Sequence, residues 1–248
     1  MRALVLFFVL ACATSLRADR AEDLARIHVE ALGGRERIAA LAAMRASGSV
    51  VTGGKRVSFT LIAARPDRVR LETGSGGRTL VQVTNGAGAP WEFDTGVWPP
   101  RYREMAPGAG KVFTADAEFD DPLVAGASRG YALDYGGETQ WEGKSAIRVL
   151  VTRNLTQSFS LFVDPDSYLI VARAEERRSV AGRSIKIVTR YEDYRPVNGV
   201  LLPHRMVLVV DGREVQETVI ENIEANPALS EDTFQRPAVL QKDAAEKP

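Results

Sequence analysis

The chain contains few of the residues that build disulfides and metal sites. Its 248 residues include one cysteine, Cys12, and two histidines, His28 and His204. A single cysteine cannot form a disulfide within the chain, so the fold must be held together by packing. Two histidines could hold zinc only if carboxylates completed the site. We therefore predict no metal site and no cofactor, with His28 packed beneath a helix.

The sequence also lacks the motifs of common catalytic and phosphate-binding sites. It has no G-x-S-x-G, the motif that places a nucleophilic serine on a strand-to-helix turn. The stretch Gly74–Gly77 lies between two strand-like segments, whereas a phosphate-binding loop leads into a helix. The stretch Asp164–Ser167 lacks the glycine and distal glutamate of a calcium loop, and turn chemistry explains it. We predict that the protein is not an enzyme.

The chain has no excess of charge of either sign. Lysine and arginine number 32, aspartate and glutamate also number 32, and no block of like charge occurs. Nucleic-acid binding is disfavoured because phosphate recognition needs a concentrated basic face. No linker rich in proline, glycine or serine divides the sequence, which predicts one domain over residues 19–240 and a monomer.

The first eighteen residues have the pattern of a secretion signal. Met1-Arg2 is followed by the apolar run Ala3–Ala11 and then by small residues. This run is about half of the ~20 residues needed to span a bilayer. We predict a signal peptide over residues 1–18 and a periplasmic protein. Alternatively, Val9–Cys12 resembles a lipobox, and Cys12 would then anchor an outer-membrane lipoprotein.

Hydrophobic periodicity predicts helices at the start of the remaining chain. Residues 21–32 place Leu24, Ile27 and His28 on one side of a helix. Gly33-Gly34 ends this helix, and a second is predicted over about 35–44.

The rest of the chain alternates apolar and polar residues with period two, which is typical of strands. Gly-, Asn- and Asp-rich turns separate the segments, including Gly136-Gly137. We predict a mainly β protein with about eleven strands in one curved antiparallel up-and-down sheet. The segments that show the alternation are Val57–Ala64, Arg68–Glu72, Leu80–Thr84, Trp91–Asp94, Tyr131–Tyr135, Thr139–Trp141, Ala146–Arg153, Gln157–Asp164, Leu169–Arg177, Arg183–Tyr194, Leu201–Val210 and Val215–Ala225.

Residues 95–130 interrupt this pattern. Trp98-Pro99-Pro100 and Pro107-Gly108 oppose regular strand pairing. Asp121 followed by Pro122 predicts the start of a short helix with Asp121 as its cap. The polar tail, residues 241–248, is predicted to be disordered.

The predicted sheet has one charged face and one apolar face. Only three short helical segments are available to cover the apolar face, too few to fill a wide barrel. The physical expectation is an open β-barrel with short lid helices over an apolar cavity that would suit an acyl chain.

Several segments resemble the periplasmic lipoprotein-carrier and outer-membrane lipoprotein-sorting superfamily (LolA/LolB-like). They are the N-terminal helix, Leu61–Leu71 with its Arg-Pro turn, Leu80–Phe93, Tyr191–Pro203, and the closing Asn226-Pro227 and Phe234–Pro237. The resemblance implies an open β-barrel whose cavity is closed by helices and receives lipoprotein acyl chains. It also implies that Arg65, which precedes Pro66, holds the lid.

The candidate ligand-binding residues combine this resemblance with the strand pattern. Arg65 could be a releasable latch or a solvated turn arginine, and Trp98 could plug the cavity or touch a membrane or partner. The strand residues could line the cavity or belong to an ordinary core. The full set is Phe59, Leu61, Arg65, Val69, Leu71, Trp91, Phe93, Trp98, Phe119 and Leu123.

Two functions remain open from the sequence. The first is a periplasmic carrier for lipoproteins or another acyl-chain ligand in envelope transport, with inner- and outer-membrane transport partners. The second is a protein-interaction module in outer-membrane biogenesis that offers its curved sheet or a sheet edge to a partner.

Overall fold

The structure is a computed structural model that describes residues 20–153, 157–178 and 182–237. The predicted signal peptide, Cys12 and the predicted tail at 241–248 lie outside the described residues. In the part that is described, no helix is long and apolar enough to cross a membrane.

The described residues form four α-helices, two short 3₁₀ segments and thirteen β-strands. The helices are α1 (20–31), α2 (Arg35–Ala40), α3 (Pro107–Asp116) and α4 (Pro122–Ala125), and the 3₁₀ segments are Gly126–Arg129 and Glu231–Phe234. The strands are β1 (Ala43–Thr52), β2 (Lys55–Ala64), β3 (Arg68–Ser75), β4 (Arg78–Thr84), β5 (Trp91–Asp94), β6 (Arg101–Glu104), β7 (Tyr131–Trp141), β8 (Lys144–Arg153), β9 (Gln157–Val163), β10 (Ile170–Arg178), β11 (Ser184–Val197), β12 (Val200–Val210) and β13 (Arg213–Ala225).

The strands form one antiparallel sheet in the order β6-β5-β4-β3-β2-β1-β13-β12-β11-β10-β9-β8-β7. Neighbours in this order are neighbours in sequence except for β1 and β13, which pair although they lie far apart in the chain. The order ends at β6 and β7, so the sheet is open. The predicted fold class, a mainly β protein with an open antiparallel sheet and short helices, is confirmed.

Several details differ from the sequence prediction, and one is the strand β6, which lies within the stretch predicted to interrupt the strand pattern. The second helix ends at Ala40, and β1 begins at Ala43 because pairing with β2 and β13 overrides the helical preference of its alanines. Pro107 opens α3, since proline suits the first helical turn, so this segment is helical where a break was predicted. Gly136-Gly137 forms a register shift inside the continuous strand β7, which is a bulge and not a turn.

The chain divides into two compact units. Unit 1 contains the residues up to Ile38 together with Asp121–Val215, and unit 2 contains Ala39–Asp120 and the residues from Gln216 onward.

In unit 1, helix α1 packs on the sheet. Leu24 and Ala25 of α1 join buried residues of β8 and β9, among them Val149 and Leu161. The chain turns at Gly33, just after α1, where a side chain is excluded because an added Cβ would lie 2.1 Å from the Gly199 carbonyl oxygen. This close contact fixes the chain that leaves α1.

In unit 2, both faces of the sheet are covered. One face packs against α3 and the residues after it, and the other packs against the 3₁₀ segment that contains Phe234. At the junction of β1 with β13, Gly48 sits in a register shift where an added Cβ would meet the Val219 oxygen at 2.0 Å. A glycine is therefore required for this pairing.

Candidate functional site

The strand register sorts the predicted wall residues of unit 2 onto two faces. Leu61 pairs with Leu71, and Ala63 pairs with Val69. Because side chains two residues apart share a face, Phe59, Leu61, Val69 and Leu71 all lie on one side of β2 and β3. We call these four residues the candidate face. Phe59 and Val69 are buried, whereas Leu61 and Leu71 are half-buried.

Trp91 and Phe93 lie on the opposite face. Ile62 pairs with Arg70, Arg70 with Val83, and Val83 with Trp91. On that side the two aromatic residues pack with Val81, Val83 and Phe234 in a core cluster. The prediction that Trp91 and Phe93 line the same wall as Leu61 is wrong, because the pleat of β4 and β5 turns them the other way.

One segment of the described chain packs against the Leu61 and Val69 side of the candidate face. Phe113 and Ala117, from α3 and its end, pack with Phe119 against Ala63, Val69 and Leu61. We call residues 107–120 the covering segment. Its aromatic side chains are half-buried, so its contact with the sheet leaves them partly open to solvent.

Arg65, which follows β2, contacts both the residue after α2 and the end of the covering segment. Its guanidinium Nε donates to the Leu41 carbonyl, just beyond α2, at 2.9 Å. The Nη1 group forms an ion pair with Asp120, and the guanidinium carbon lies 4.6 Å from the centre of the Phe119 ring. The Pro66 carbonyl also accepts a hydrogen bond from the Phe119 amide at 3.4 Å. Arg65-Pro66 thus holds the C-terminal end of the covering segment.

Asn226 positions the acceptor that Arg65 uses. Its side-chain Oδ1 accepts from the Ala42 amide at 2.8 Å and the Ala43 amide at 3.1 Å, and its Nδ2 donates to the Ala40 carbonyl at 2.9 Å. These bonds fix the backbone on both sides of Leu41. Sequence reasoning identified neither Asn226 nor Asp120 as partners in this network, because long-range side-chain pairs have no local pattern.

Trp98 lies at the tip of the β5–β6 hairpin with 93% of its surface exposed. That exposure is incompatible with a role as a plug in a cavity, so this interpretation of the sequence is wrong. Its other predicted role, contact with a membrane or partner, requires an exposed side chain of this kind.

Leu123 belongs to the core of unit 1. It is 3% exposed and packs with Leu24, Tyr131 and Val149. The structure therefore places it in the core of unit 1 with α1, whereas the candidate face belongs to unit 2. The predicted cap is present, since Asp121 Oδ1 accepts from the amides of Leu123 and Val124 at 2.8 and 3.1 Å.

His28 on α1 is buried and links the helix to this cap. Its Nδ1 lies 2.7 Å from the Tyr168 carbonyl oxygen, and its Nε2 lies 3.2 Å from Asp121 Oδ2. Carbonyl and carboxylate oxygens only accept hydrogen bonds, so an imidazolium that donates from both nitrogens satisfies this geometry. Burial disfavours the charge, but the hydrogen bond and charge of Asp121 and the Tyr168 carbonyl together raise the pKa of His28 above 6.5.

Sequence comparisons find no relative for the chain. No protein-family model matches it, and no curated protein sequence matches it.

Solved structures share the fold over most of the chain. A domain from Vibrio parahaemolyticus, described as an outer membrane lipoprotein-sorting protein, aligns with a TM-score of 0.60 and 11% identity over 88% of this chain and 97% of its own. A DUF1329 family protein from Desulfovibrio piger gives 0.59 and 14% identity over 89% and 98%. A LolA superfamily protein from Nitrosomonas europaea gives 0.52 and 13% identity over 84% and 96%.

At identities this low, structural likeness establishes the fold and nothing finer. The resemblance drawn from the residues is confirmed at that level: the chain has the fold of the LolA-like lipoprotein-sorting proteins.

Proposed function

We propose that the protein is a non-enzymatic periplasmic carrier that binds an acyl chain, from a lipoprotein or another lipid, on the candidate face of unit 2. The observation that carries this proposal is the pairing of an apolar wall with a covering segment that one arginine holds. Leu61 and Leu71 present half-buried branched apolar side chains on one face, and Phe113 and Phe119 pack against that face at Leu61 and Val69. The structural neighbours, one of them described as a lipoprotein-sorting domain, support it.

Binding exchanges one apolar contact for another. An acyl chain takes the place of the covering segment's aromatic side chains, and the segment moves outward when its contacts with Arg65 break. Each methylene removed from water contributes about 0.8 kcal/mol. About ten buried methylenes would contribute about 8 kcal/mol, from which the costs of association and of ordering the chain are subtracted.

Arg65 sets how readily the covering segment moves. Its hydrogen bond to Leu41 and its ion pair with Asp120 hold residues 119–120 beside the wall. Both members of the ion pair are about one quarter exposed, so water screens their attraction and the contact breaks at modest cost. A latch of this strength permits both loading and release.

A second candidate function rests on the open ends of the sheet. In the described sheet order β7, an eleven-residue strand, is an end strand. An end strand offers backbone donors and acceptors that a partner chain can pair with. An interaction module in outer-membrane biogenesis would use this edge and would need no acyl ligand.

Two experiments separate these functions. Native mass spectrometry of the protein purified from an envelope fraction should detect bound lipid if the carrier proposal holds, and none if only the edge is used. Retention of a fluorescent fatty acid then tests the site. We expect Arg65→Gln to speed both loading and release several-fold, because the covering segment loses its latch.

Arg68→Gln is the matched control for Arg65→Gln. Arg68 lies on the opposite face, where its guanidinium stacks 5.3 Å from the Phe234 ring, so fatty-acid kinetics should be unchanged. Leu71→Asn tests the wall without touching the latch and should weaken binding at least tenfold. Wild-type retention in both Leu71→Asn and Arg65→Gln would rule out this site.

A further inference from the structure

Three hairpin turns of unit 2 lie at one end of its sheet. Thr52 pairs with Lys55 across the first turn, Ser75 with Arg78 across the second, and Asp94 with Arg101 across the third. The antiparallel register brings the turns side by side, since Ser58 pairs with Gly74 and Leu80 with Asp94. Neighbouring strands are about 4.8 Å apart, so the three turns span about 20 Å.

This end is basic and carries one exposed tryptophan. Lys55, Arg78 and Arg101 are exposed, and none of them forms an ion pair with any residue the structure describes. Of the acidic residues of the third hairpin, Asp94 lies beside the turn, and its Oδ1 accepts a hydrogen bond from the Gly96 amide at 2.6 Å. We call Lys55, Arg78, Trp98 and Arg101 the hairpin end.

The surroundings of Trp98 hold it away from the sheet. Pro99 and Pro100 follow it directly, and proline restricts the backbone of the preceding residue to extended conformations. Arg78 packs against the same loop, with its Cδ atom 3.4 Å from the position a Cβ would take on Gly96. The loop that carries Trp98 thus packs against an arginine side chain at Gly96.

The three tryptophans of the chain differ in their surroundings. Trp91 is buried in the core of unit 2, and Trp141 stacks on Phe162 at 4.1 Å in unit 1. Of the three, Trp98 alone has a fully exposed indole, and exposing a large apolar surface to water is unfavourable. An exposed indole at the same end of a sheet as arginine and lysine side chains matches the headgroup region of a bilayer, because that region accepts amphipathic rings and anionic lipids attract the cations.

We propose that the hairpin end docks unit 2 on the surface of a membrane that contains anionic lipid. Trp98 inserts at the level of the headgroups, and Lys55, Arg78 and Arg101 contact their phosphates. This inference goes beyond the acyl-chain carrier function and does not depend on it, since the docking residues lie outside the candidate face.

The test is co-sedimentation of the full chain with vesicles. We expect stronger binding to vesicles in which phosphatidylglycerol replaces about a third of the phosphatidylcholine than to phosphatidylcholine alone. Binding to the anionic vesicles should bring a blue shift in tryptophan emission. Trp98→Ser should lower the partition coefficient about tenfold and abolish most of the shift. Arg78→Gln combined with Arg101→Gln should lower the coefficient about 30-fold.

Matched variants in unit 1 control for general effects of charge and apolar surface. Arg35→Gln combined with Arg178→Gln removes the same charge from exposed positions, and Leu150→Ser removes an apolar side chain that is 41% exposed. Both should leave the coefficient within about twofold of the wild type.

The proposal is overturned if the wild type fails to bind anionic vesicles, or if Trp98→Ser binds them as the wild type does. It is also overturned if Leu71→Asn abolishes vesicle binding while Trp98→Ser does not, because the candidate face would then be the contact. Neither vesicle result changes the fatty-acid retention expected from the carrier proposal. The failure of one proposal can therefore be distinguished from the failure of the other.

Discussion

The two units cover their sheets in different ways. In unit 1, α1 buries five residues: Ala21, Leu24, Ala25, His28 and Val29. Leu24 and Ala25 belong to a core cluster with residues of the sheet, and His28 contacts the cap residue Asp121. In unit 2, α3 buries only Gly110, while Phe113 stays half-buried. The covering segment has Gly108 and Gly110 in its helix, and Ala106 at its start provides no side-chain cap. One cover is a permanent part of the core, and the other is a marginal helix held by its ends.

This difference explains why the candidate site lies in unit 2. A sheet face under a well-packed helix has no room to exchange its contacts, because removing the helix would expose the core. A face under a weak helix can exchange them at low cost, since local opening needs only a fraction of the global stability. The comparison leads to three predictions about stability and opening, taken from the largest effect to the smallest.

Core substitutions should separate the two units most strongly. Leu161→Ala in unit 1 removes a side chain that is 1% exposed and should lower the free energy of unfolding by about 2–5 kcal/mol. Leu61→Ala in unit 2 removes a half-buried side chain and should cost about 1 kcal/mol. Urea denaturation followed by circular dichroism measures both, and equal losses would remove the distinction between a core face and an exchangeable face.

The cover of unit 1 should also respond to pH. The pKa of His28 is raised by folding, so its contribution is complete below 6.5 and disappears as pH rises through the folded pKa. Stability should therefore decrease from weakly acidic to alkaline pH, by at most about 1.4 kcal/mol for each pKa unit of the shift.

Asp121→Asn sharpens the pH test. Asparagine keeps an oxygen that can cap α4 but loses the charge that faces His28. The urea midpoint of this variant should vary less with pH than that of the wild type over the same interval. A steeper dependence in the variant would contradict the assigned imidazolium–carboxylate pair.

The smallest effect concerns the weak helix itself. At Gly108 a Cβ would meet nothing within 4 Å, so Gly108→Ala should stabilise α3 by about 0.5–1 kcal/mol. We expect slower amide exchange in residues 110–117 and slower release of a fluorescent fatty acid. The control is Ala109→Ser, because Ala109 is exposed on the same helix. A second glycine such as Gly54 does not serve, because its φ of 73° would strain an alanine. Faster release from Gly108→Ala would show that α3 does not cover the site.

The sequence predicted the elements better than their contacts. Period-two alternation located most strands, and Asp121 before Pro122 predicted a cap that the structure confirms. The pairing of β1 with β13 was missed because no local pattern records a partner far away in the chain. Trp91 was assigned to the wrong face for a related reason. The face of a residue depends on the register of several strands in succession, and one pattern cannot supply it.

Arg65 shows how far a motif reaches. The sequence left Arg65 open as a releasable latch or a solvated turn arginine, and the structure shows its guanidinium donating to the Leu41 carbonyl beyond α2. The other contacts of Arg65, with Asp120 and Phe119, had no signal in the sequence, because they depend on where the covering segment returns to the sheet. The sequence thus identified Arg65 as a candidate, and the structure identified Asp120 and Phe119 as its partners.

Photolabelling with a diazirine-bearing fatty acid tests the central claim most directly. Illumination followed by peptide mass spectrometry reports which residues contact the bound chain. We predict adducts on β2 and β3 and on the covering segment, reduced in Leu71→Asn. Two results would contradict an acyl-binding face beneath the covering segment. One is adducts confined to the residues of unit 1, and the other is labelling that an excess of unlabelled fatty acid fails to reduce.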